Sequence, residues 1–369
     1  ILPMIVGTLA ATVGALIVGG IAGYFTAVFL AFYCPKALKR PLTAVINLLA
    51  GIPSVVYGFF GIVFLLPILS AVAPNNGSGL LAVSLILGIM ILPTVVSLSK
   101  TSLEAVPKSY YEGSVAIGAT HSETVFGVMS PAAKSGITAS LILGVGRALG
   151  ETMAVVMVAG NSVTFPDGLF SSFRVMTANI VLEMGYAGEL QEGALIATGV
   201  VLLIFVLIIN TVFNLAAGKT VKKLASSGSR RKRTPKFLTV FKDKLGEVGS
   251  KLKIVSVKTA LSYFFGAMSA ISLALVIGFI FVKGLPYLVT HPSLVFGAYE
   301  FGSDNVTILP SIITTLWVVA LSLVIAVPVG VATAVFLNEY TKRRNVLVRI
   351  IRSSIDILSG VPSIVYGLF

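Results

Sequence analysis

The sequence predicts an all-α protein that crosses a membrane about eight times, and three observations carry that prediction. The 369 residues are 56% hydrophobic and only 11% charged, well below the roughly 25% charged residues of a soluble domain. Mean hydropathy is +1.00. Long stretches hold no charge at all: residues 1–35, and everything between Arg40 and Lys100. Such a chain cannot wrap a wetted surface around a buried core, so a soluble fold is excluded and lipid is the solvent. The single cysteine, Cys34, excludes an intrachain disulfide, and two histidines, His121 and His291, exclude a histidine-rich metal site. The sequence opens on apolar Ile1 and closes on apolar Phe369 with no initiator Met or signal peptide, which reads as an internal piece of a longer protein.

A spanning helix needs roughly 20 apolar residues, because about 30 Å of hydrocarbon is crossed at 1.5 Å per residue. The first span is expected over 5–33. The second (43–72) and third (80–99) are separated by the turn formers Ala73-Pro74-Asn75-Asn76-Gly77-Ser78-Gly79. Uncharged runs then predict spans over 132–160, 193–217, 259–282 and 308–337, and a truncated eighth over 351–369. Cytoplasmic loops retain lysine and arginine. Eight alternating spans put 24 of the 27 basic residues on one side, leaving Arg174 and Lys283 opposite and Arg147 within the membrane. Loops 34–42, 100–131, 218–258 and 338–350 are therefore expected in the cytoplasm, and the chain in the cell (plasma or inner) membrane.

Three segments follow: 1–217, a basic linker over 218–258, and 259–369. The linker holds thirteen Lys/Arg against Asp243 and Glu247, which accounts for most of the formal charge of +13. Its Ser226-Ser227-Gly228-Ser229 and Arg230-Arg231-Lys232-Arg233 runs suit a solvated tether near lipid headgroups. Without interleaved aromatics or a folded basic domain, nucleic acid is not an expected partner. Gly218-Lys219-Thr220 resembles the end of a nucleotide-binding loop, but Phe213 stands where that loop needs glycine, so no phosphate cradle forms.

The chain repeats itself. Ile1-Leu2-Pro3, Thr8, Ala27-Val28-Phe29-Leu30 and Tyr33 recur 307 residues later. After two inserted residues, Gly51-Ile52-Pro53-Ser54-Val55-Val56-Tyr57-Gly58-Phe59-Phe60 aligns with 360–369, identical at seven of ten positions. The two copies run in the same direction, so the halves are related by an axis along the membrane normal, as around a pseudo-two-fold pore. About twelve spans are expected in the intact protein. Pro53 and Pro362 interrupt their helices beside Gly51 and Gly360. Such paired breaks are either packing kinks or the walls of a transport site, with Ser54, Tyr57, Ser363 and Tyr366 supplying hydroxyls to a cavity. Asn47 and Asp356, equivalent in the repeat, are candidates for its cytoplasmic end.

Between the third and fourth spans, two capping boxes are predicted, Ser109 with Glu112 and Thr120 with Glu123. Gly118 is placed to end the intervening helix in the left-handed conformation. The outcome is two short helices on the cytoplasmic surface. In the fourth span, Arg147 and Glu151 are four apart and can pair on one helical face. A charge at this depth costs several kcal/mol unless paired or wet. The pair either locks two helices together or serves an anion: the arginine fork matches two oxygens of a tetrahedral oxyanion, and the glutamate accepts a proton from one partly protonated.

Two stretches resemble a known family. The spacing of Glu112, Gly118, Val128 and Pro131 is similar to the EAA loop of ABC importer permeases, with Gly113-Ser114 in place of the two alanines. Arg147-Ala148-Leu149-Gly150-Glu151-Thr152 and the Gly-x-Pro-Ser-x-Val-Tyr-Gly segments resemble Pst-type phosphate permeases. The first half looks like the later five helices of that family's C subunit, and the second like the first three of its A subunit, as if two subunits were fused. The resemblance implies a polytopic type I ABC importer (MetI-like) permease fold and inorganic phosphate as substrate. It implies a substrate pathway through Arg147, Glu151, Thr152, Ser54, Tyr57, Ser363 and Tyr366. Glu112, Gly113, Gly118, Thr120, Glu123 and Pro131 would couple to ABC ATPase subunits that carry ATP and Mg, while an extracytoplasmic phosphate-binding protein delivers substrate. The chain itself is then no enzyme and holds no cofactor. Importers of molybdate or sulfate, an ion-coupled secondary transporter, and a non-transporting membrane receptor are the competing readings.

Overall fold

The computed structural model describes residues 1–72, 75–227, 240–297, 307–341, 348, 351, 354–355 and 361–368. Contacts divide the chain into two units, Ile1–Ala274 with Gly360–Phe369, and Leu275–Ser359. Among the described residues, five helices are long and apolar enough to cross a membrane, or up to seven if each of two bent pairs is one span.

The first unit is built around α1 (Leu2–Tyr33) and α4 (Leu80–Glu104). The two pack closely because small residues line the contact. A Cβ on Gly19 would collide with the Gly88 carbonyl, so the backbones approach with no side chain between them. α4 is the most enclosed span, and Ala82, Val83, Ile86, Leu87, Met90 and Ile91 are all buried.

Two predicted spans are not single helices. The second divides into α2 (Lys36–Ala50) and α3 (Ser54–Ser70), bent by 101° at Gly51–Pro53. Proline has no N–H to continue the ladder, and the residue before it is pushed out of the helical region. The fourth also breaks. α6 (His121–Ala132) meets α7 (Lys134–Leu149) at 69°, and the helix stops again at Gly150 before resuming as α8 (Met153–Val158). A continuous helix over 132–160 is therefore corrected to two.

Between α4 and α6 lies α5 (Lys108–Ala116). Beyond α8 the chain forms a loop closed by a bridge between Gly160 and Phe173. It continues through α9 (Met176–Met184), a helix the sequence did not announce, into α10 (Glu189–Ser227). α11 (Val240–Thr290) follows, its first part packing on α1 through stacked Phe25 and Phe265 rings 5.6 Å apart. The Thr26 and Ser269 hydroxyls join 2.7 Å apart in the same contact.

In the second unit, α12 (Ser293–Phe296) precedes α13 (Leu309–Tyr340). α13 matches the expected 308–337 and is exposed along its spanning length, with Trp317 66% and Val324 71% accessible. Of the eighth span, only α14 (Ser363–Leu368) and isolated residues are described. α14 belongs to the first unit, where Val365 joins Met4, Val145, Leu149, Met176, Leu202 and Val206 in one buried cluster. Gly360 and Asp356 lie outside the described residues, as do 228–239 of the linker and 342–347 of the loop after α13.

Candidate functional site

The break at Pro53 leaves the Leu49 carbonyl without the i+4 amide a continuous helix would offer it, and it keeps only a longer bond from the Ile52 N–H at 3.2 Å. Tyr57 fills that position. Its hydroxyl donates to the Leu49 oxygen at 2.9 Å and the side chain is wholly buried. The ring therefore braces the bend, and the expectation that its hydroxyl faces an open cavity is corrected. Ser54 is half-buried at the start of α3. Immediately after Tyr57, Gly58 brings α3 against α8, where a Cβ would stand 3.1 Å from the Ala154 Cα.

The break at Gly150–Thr152 is held from several sides. The Glu151 Oε1 accepts the Ala154 amide at 3.2 Å, capping α8. The Glu151 carbonyl accepts the Thr177 hydroxyl at 3.0 Å. Thr152 is buried, its hydroxyl 3.4 Å from the Gly150 carbonyl. Against Gly150 lies the second copy of the proline motif: a Cβ there would be 3.1 Å from the Pro362 Cα. Ser363 and Tyr366, just beyond it, are exposed. Gly58 of one repeat and Pro362 of the other thus both border the segment carrying Glu151 and Thr152.

Arg147 stands in the last turn of α7 and is half-buried. Its Nη1 donates to the Thr94 hydroxyl of α4 at 3.3 Å. The predicted Arg147–Glu151 pair does not form. The two ion pairs among the described residues are Lys39–Glu104 and Arg174–Glu183, because the helix ends between Arg147 and Glu151 and their side chains no longer share a face. The guanidinium is left with a neutral partner at a depth where charge is costly. Thr94 escaped the sequence reading, because a lone threonine in an apolar span carries no signal until the helix facing it is known. Among the described residues no group of three or more His, Cys, Asp or Glu could hold a metal ion.

The second cluster lies over α5 and α6. Gly118 has φ +93° and ends the turn after α5, a conformation that favours glycine. Thr120 and Glu123 form the predicted capping box. The backbone N–H and hydroxyl of Thr120 both donate to the Glu123 carboxylate, holding its pKa below the ordinary glutamate value. The other box is corrected: Pro107 occupies the cap position of α5 without a side-chain bond, and Ser109 is already inside the helix. Glu112, Gly113 and Pro131 are exposed, and a Cβ on Gly113, Gly118 or Gly127 would meet nothing within 4 Å.

Behind this open face the loop is tied to the bundle. Ser114 and Thr124 hydroxyls are 2.9 Å apart. Ser122 accepts from Thr259 of α11 at 3.0 Å and from Tyr33 of α1 at 3.2 Å. His121 bonds Tyr111 through Nδ1 at 2.7 Å.

Residues 19–225 match the family described as "Binding-protein-dependent transport system inner membrane component". Probable ABC transporter permease protein YqgH of Bacillus subtilis is 39% identical over 207 residues, 55% of this chain and 67% of that one. Phosphate transport system permease protein PstC of Haemophilus influenzae is 35% identical over 225 residues, 54% of this chain and 71% of that protein. A further similarity runs through nearly the whole chain: a PstA homolog of Mycoplasma pneumoniae, also named a phosphate transport system permease protein, is 27% identical over 402 residues, 97% of this chain and 60% of that one.

Proposed function

The chain belongs to the family of binding-protein-dependent transport system inner membrane components, and from that premise we propose that it forms the membrane route of an ATP-driven importer of inorganic phosphate. It is a multi-pass membrane permease component. The observation that carries the phosphate reading is Arg147: a half-buried guanidinium within a helical bundle, paired to a hydroxyl rather than a carboxylate. A cation so placed keeps its charge available for a passing anion, and its planar fork suits two oxygens of a tetrahedral one. Similarity to permeases named for phosphate transport agrees with that chemistry.

The remaining parts take their roles from position. The loops rich in lysine and arginine face the cytoplasm. There the open glycine face of α5 and α6, with Glu112, Glu123 and Pro131, docks onto ATPase subunits that bind ATP and Mg. An extracytoplasmic phosphate-binding protein delivers substrate to the opposite side. Residues 1–217 and 259–369 act as two permease halves joined by the 218–258 tether, rocking about the segment from Gly150 into α8, which Pro362 borders at Gly150 and Gly58 borders at Ala154. Arg147 holds the anion transiently. Glu151, engaged through Oε1 with the α8 amide, has its other oxygen to accept a phosphate proton, and Ser54, Thr152, Ser363 and Tyr366 line the route.

The test is uptake of labelled phosphate by the full-length protein reconstituted with its ATPases and binding protein, in competition with sulfate and molybdate. Phosphate should enter and unlabelled phosphate alone should compete strongly. Preferential uptake of sulfate or molybdate would assign the route to that oxyanion.

A further inference from the structure

The described bundle exposes two kinds of helix face. Val13, Ile17 and Ile21 make an apolar stripe along α1, 46–58% accessible, which hydrocarbon accepts. A polar stripe runs down α4 instead: Thr94, Ser97, Thr101 and Glu104, at spacings of three, four and three, share one helical face. Three of its four members meet a polar or charged group from another helix. Thr94 accepts from Arg147 at 3.3 Å, Ser97 donates to the Asn47 Oδ1 of α2 at 3.4 Å, and Glu104 pairs with Lys39 at 2.8 Å. Beside the stripe, Lys100 Nζ donates to the Thr43 hydroxyl at 3.0 Å.

Asn47, within the second span, is exposed, and an exposed polar side chain at membrane depth is tolerated where it lines water rather than lipid. Ten residues separate Thr94 from Glu104, about 15 Å at 1.5 Å per residue, or half of the roughly 30 Å hydrocarbon layer. The stripe therefore reaches from mid-depth to the membrane surface. Its charge is one-sided. Glu104 is matched by Lys39, whereas Arg147 at the top and Lys100 near the bottom each meet a hydroxyl and, among the described residues, no carboxylate within ion-pair distance.

We propose that the seam between α2 and α4 is a water-filled release path for the anion, with Lys100 a second binding station below Arg147. This rests on the phosphate-import reading and extends it. An anion leaving Arg147 passes the Ser97 hydroxyl and the Asn47 amide before Lys100 draws it to the surface.

Single cysteines at Asn47, Ser97 and Ile17, placed in the full-length protein with Cys34→Ser, test it through reaction with membrane-impermeant methanethiosulfonates, one anionic and one cationic. Cysteines at positions 47 and 97 should react at least tenfold faster than one at 17. The anionic reagent should be favoured at 97, a preference that falls several-fold with Lys100→Gln and returns with Lys100→Arg. Reaction at 97 no faster than at 17 means a dry seam and overturns the proposal, as does a charge preference indifferent to Lys100→Gln. Labelling needs neither phosphate nor ATPase, so it decides the path separately from the substrate. Failure of the parent protein to take up phosphate would reject the import reading alone.

Discussion

Replacing Arg147 by glutamine separates a transport role from a structural one, because the structure gives the guanidinium so little to hold up. Its recorded bond is a 3.3 Å contact to the Thr94 hydroxyl, and no carboxylate pairs with it. Losing one such bond costs the fold about 1 kcal/mol, a melting shift of about 2–4 °C. The cost to transport is larger. Two charge-assisted bonds to phosphate oxygens, each about 1.5–3 kcal/mol, amount to at least about a 100-fold loss at a tenfold change per 1.4 kcal/mol. Initial rates of labelled phosphate uptake by vesicles carrying the variant, its ATPases and the binding protein give one readout; thermal melting in detergent gives the other. Uptake should collapse while melting barely moves, and Arg147→Lys should recover part of the rate, having the charge without the fork. Uptake equal to the parent's would refute the reasoning. A melting loss large enough to account for the lost uptake would refute it too, by making Arg147 a strut.

Other outcomes follow from individual contacts. Tyr57→Phe removes the hydroxyl that serves the Leu49 carbonyl at the Pro53 break and should lower stability by about 1 kcal/mol; unchanged melting would mean that the Ile52 N–H alone satisfies that oxygen. Gly113→Leu adds a side chain to open space, so the permease should melt as the parent does while co-purification of the ATPase subunits falls sharply; full retention of the ATPases would remove Gly113 from the docking face. The Glu123 carboxyl has a depressed folded-state pKa, so its cap contributes above the unfolded glutamate value and is lost as pH falls through the folded one. Protection of the α6 amides, measured as exchange relative to the intrinsic rate at each pH, should accordingly fall as acid protonates Glu123, and protection constant through that range would argue against the cap. Thr259→Val cuts the bond from α11 to Ser122 and should lower phosphate imported per ATP hydrolysed more than hydrolysis itself; a proportional fall in both would deny the link a coupling role.

Much of this architecture was legible in the sequence because lipid allows few solutions: uncharged runs must be helices, and α1, α4, the spanning parts of α10 and α11, and α13 all fall where those runs lie. The proline breaks were also legible at Gly51–Pro53, where the ring removes a donor. What escaped was the stop at Gly150. Gly150 and Thr152 are tolerable inside a helix, so periodicity alone carried the fourth span straight through, and with it an Arg147–Glu151 pair that a continuous helix would permit. The stop depends on partners distant in sequence, namely Thr177 on the Glu151 carbonyl and Pro362 against Gly150. Tyr57 was misjudged for a related reason. A hydroxyl beside a helix break can face a cavity or satisfy the carbonyl that the break frees, and only the fold reveals that the Leu49 oxygen claims it. In the surface loop, Thr120 caps as its spacing predicted, while Pro107 takes the position that Ser109 needed. Thr94 and the polar stripe below it were hidden among apolar neighbours, since three- and four-residue spacings gain meaning only once the facing helix is known.

ATP hydrolysis, rather than an ion gradient, supplies the energy for transport in an ATPase-driven permease. Full-length protein in vesicles, with its ATPases and a phosphate-loaded binding protein, should accumulate labelled phosphate when ATP is supplied and stay near background without it, whatever ion gradient is imposed. Accumulation driven by a proton or sodium gradient in the absence of ATP would contradict it.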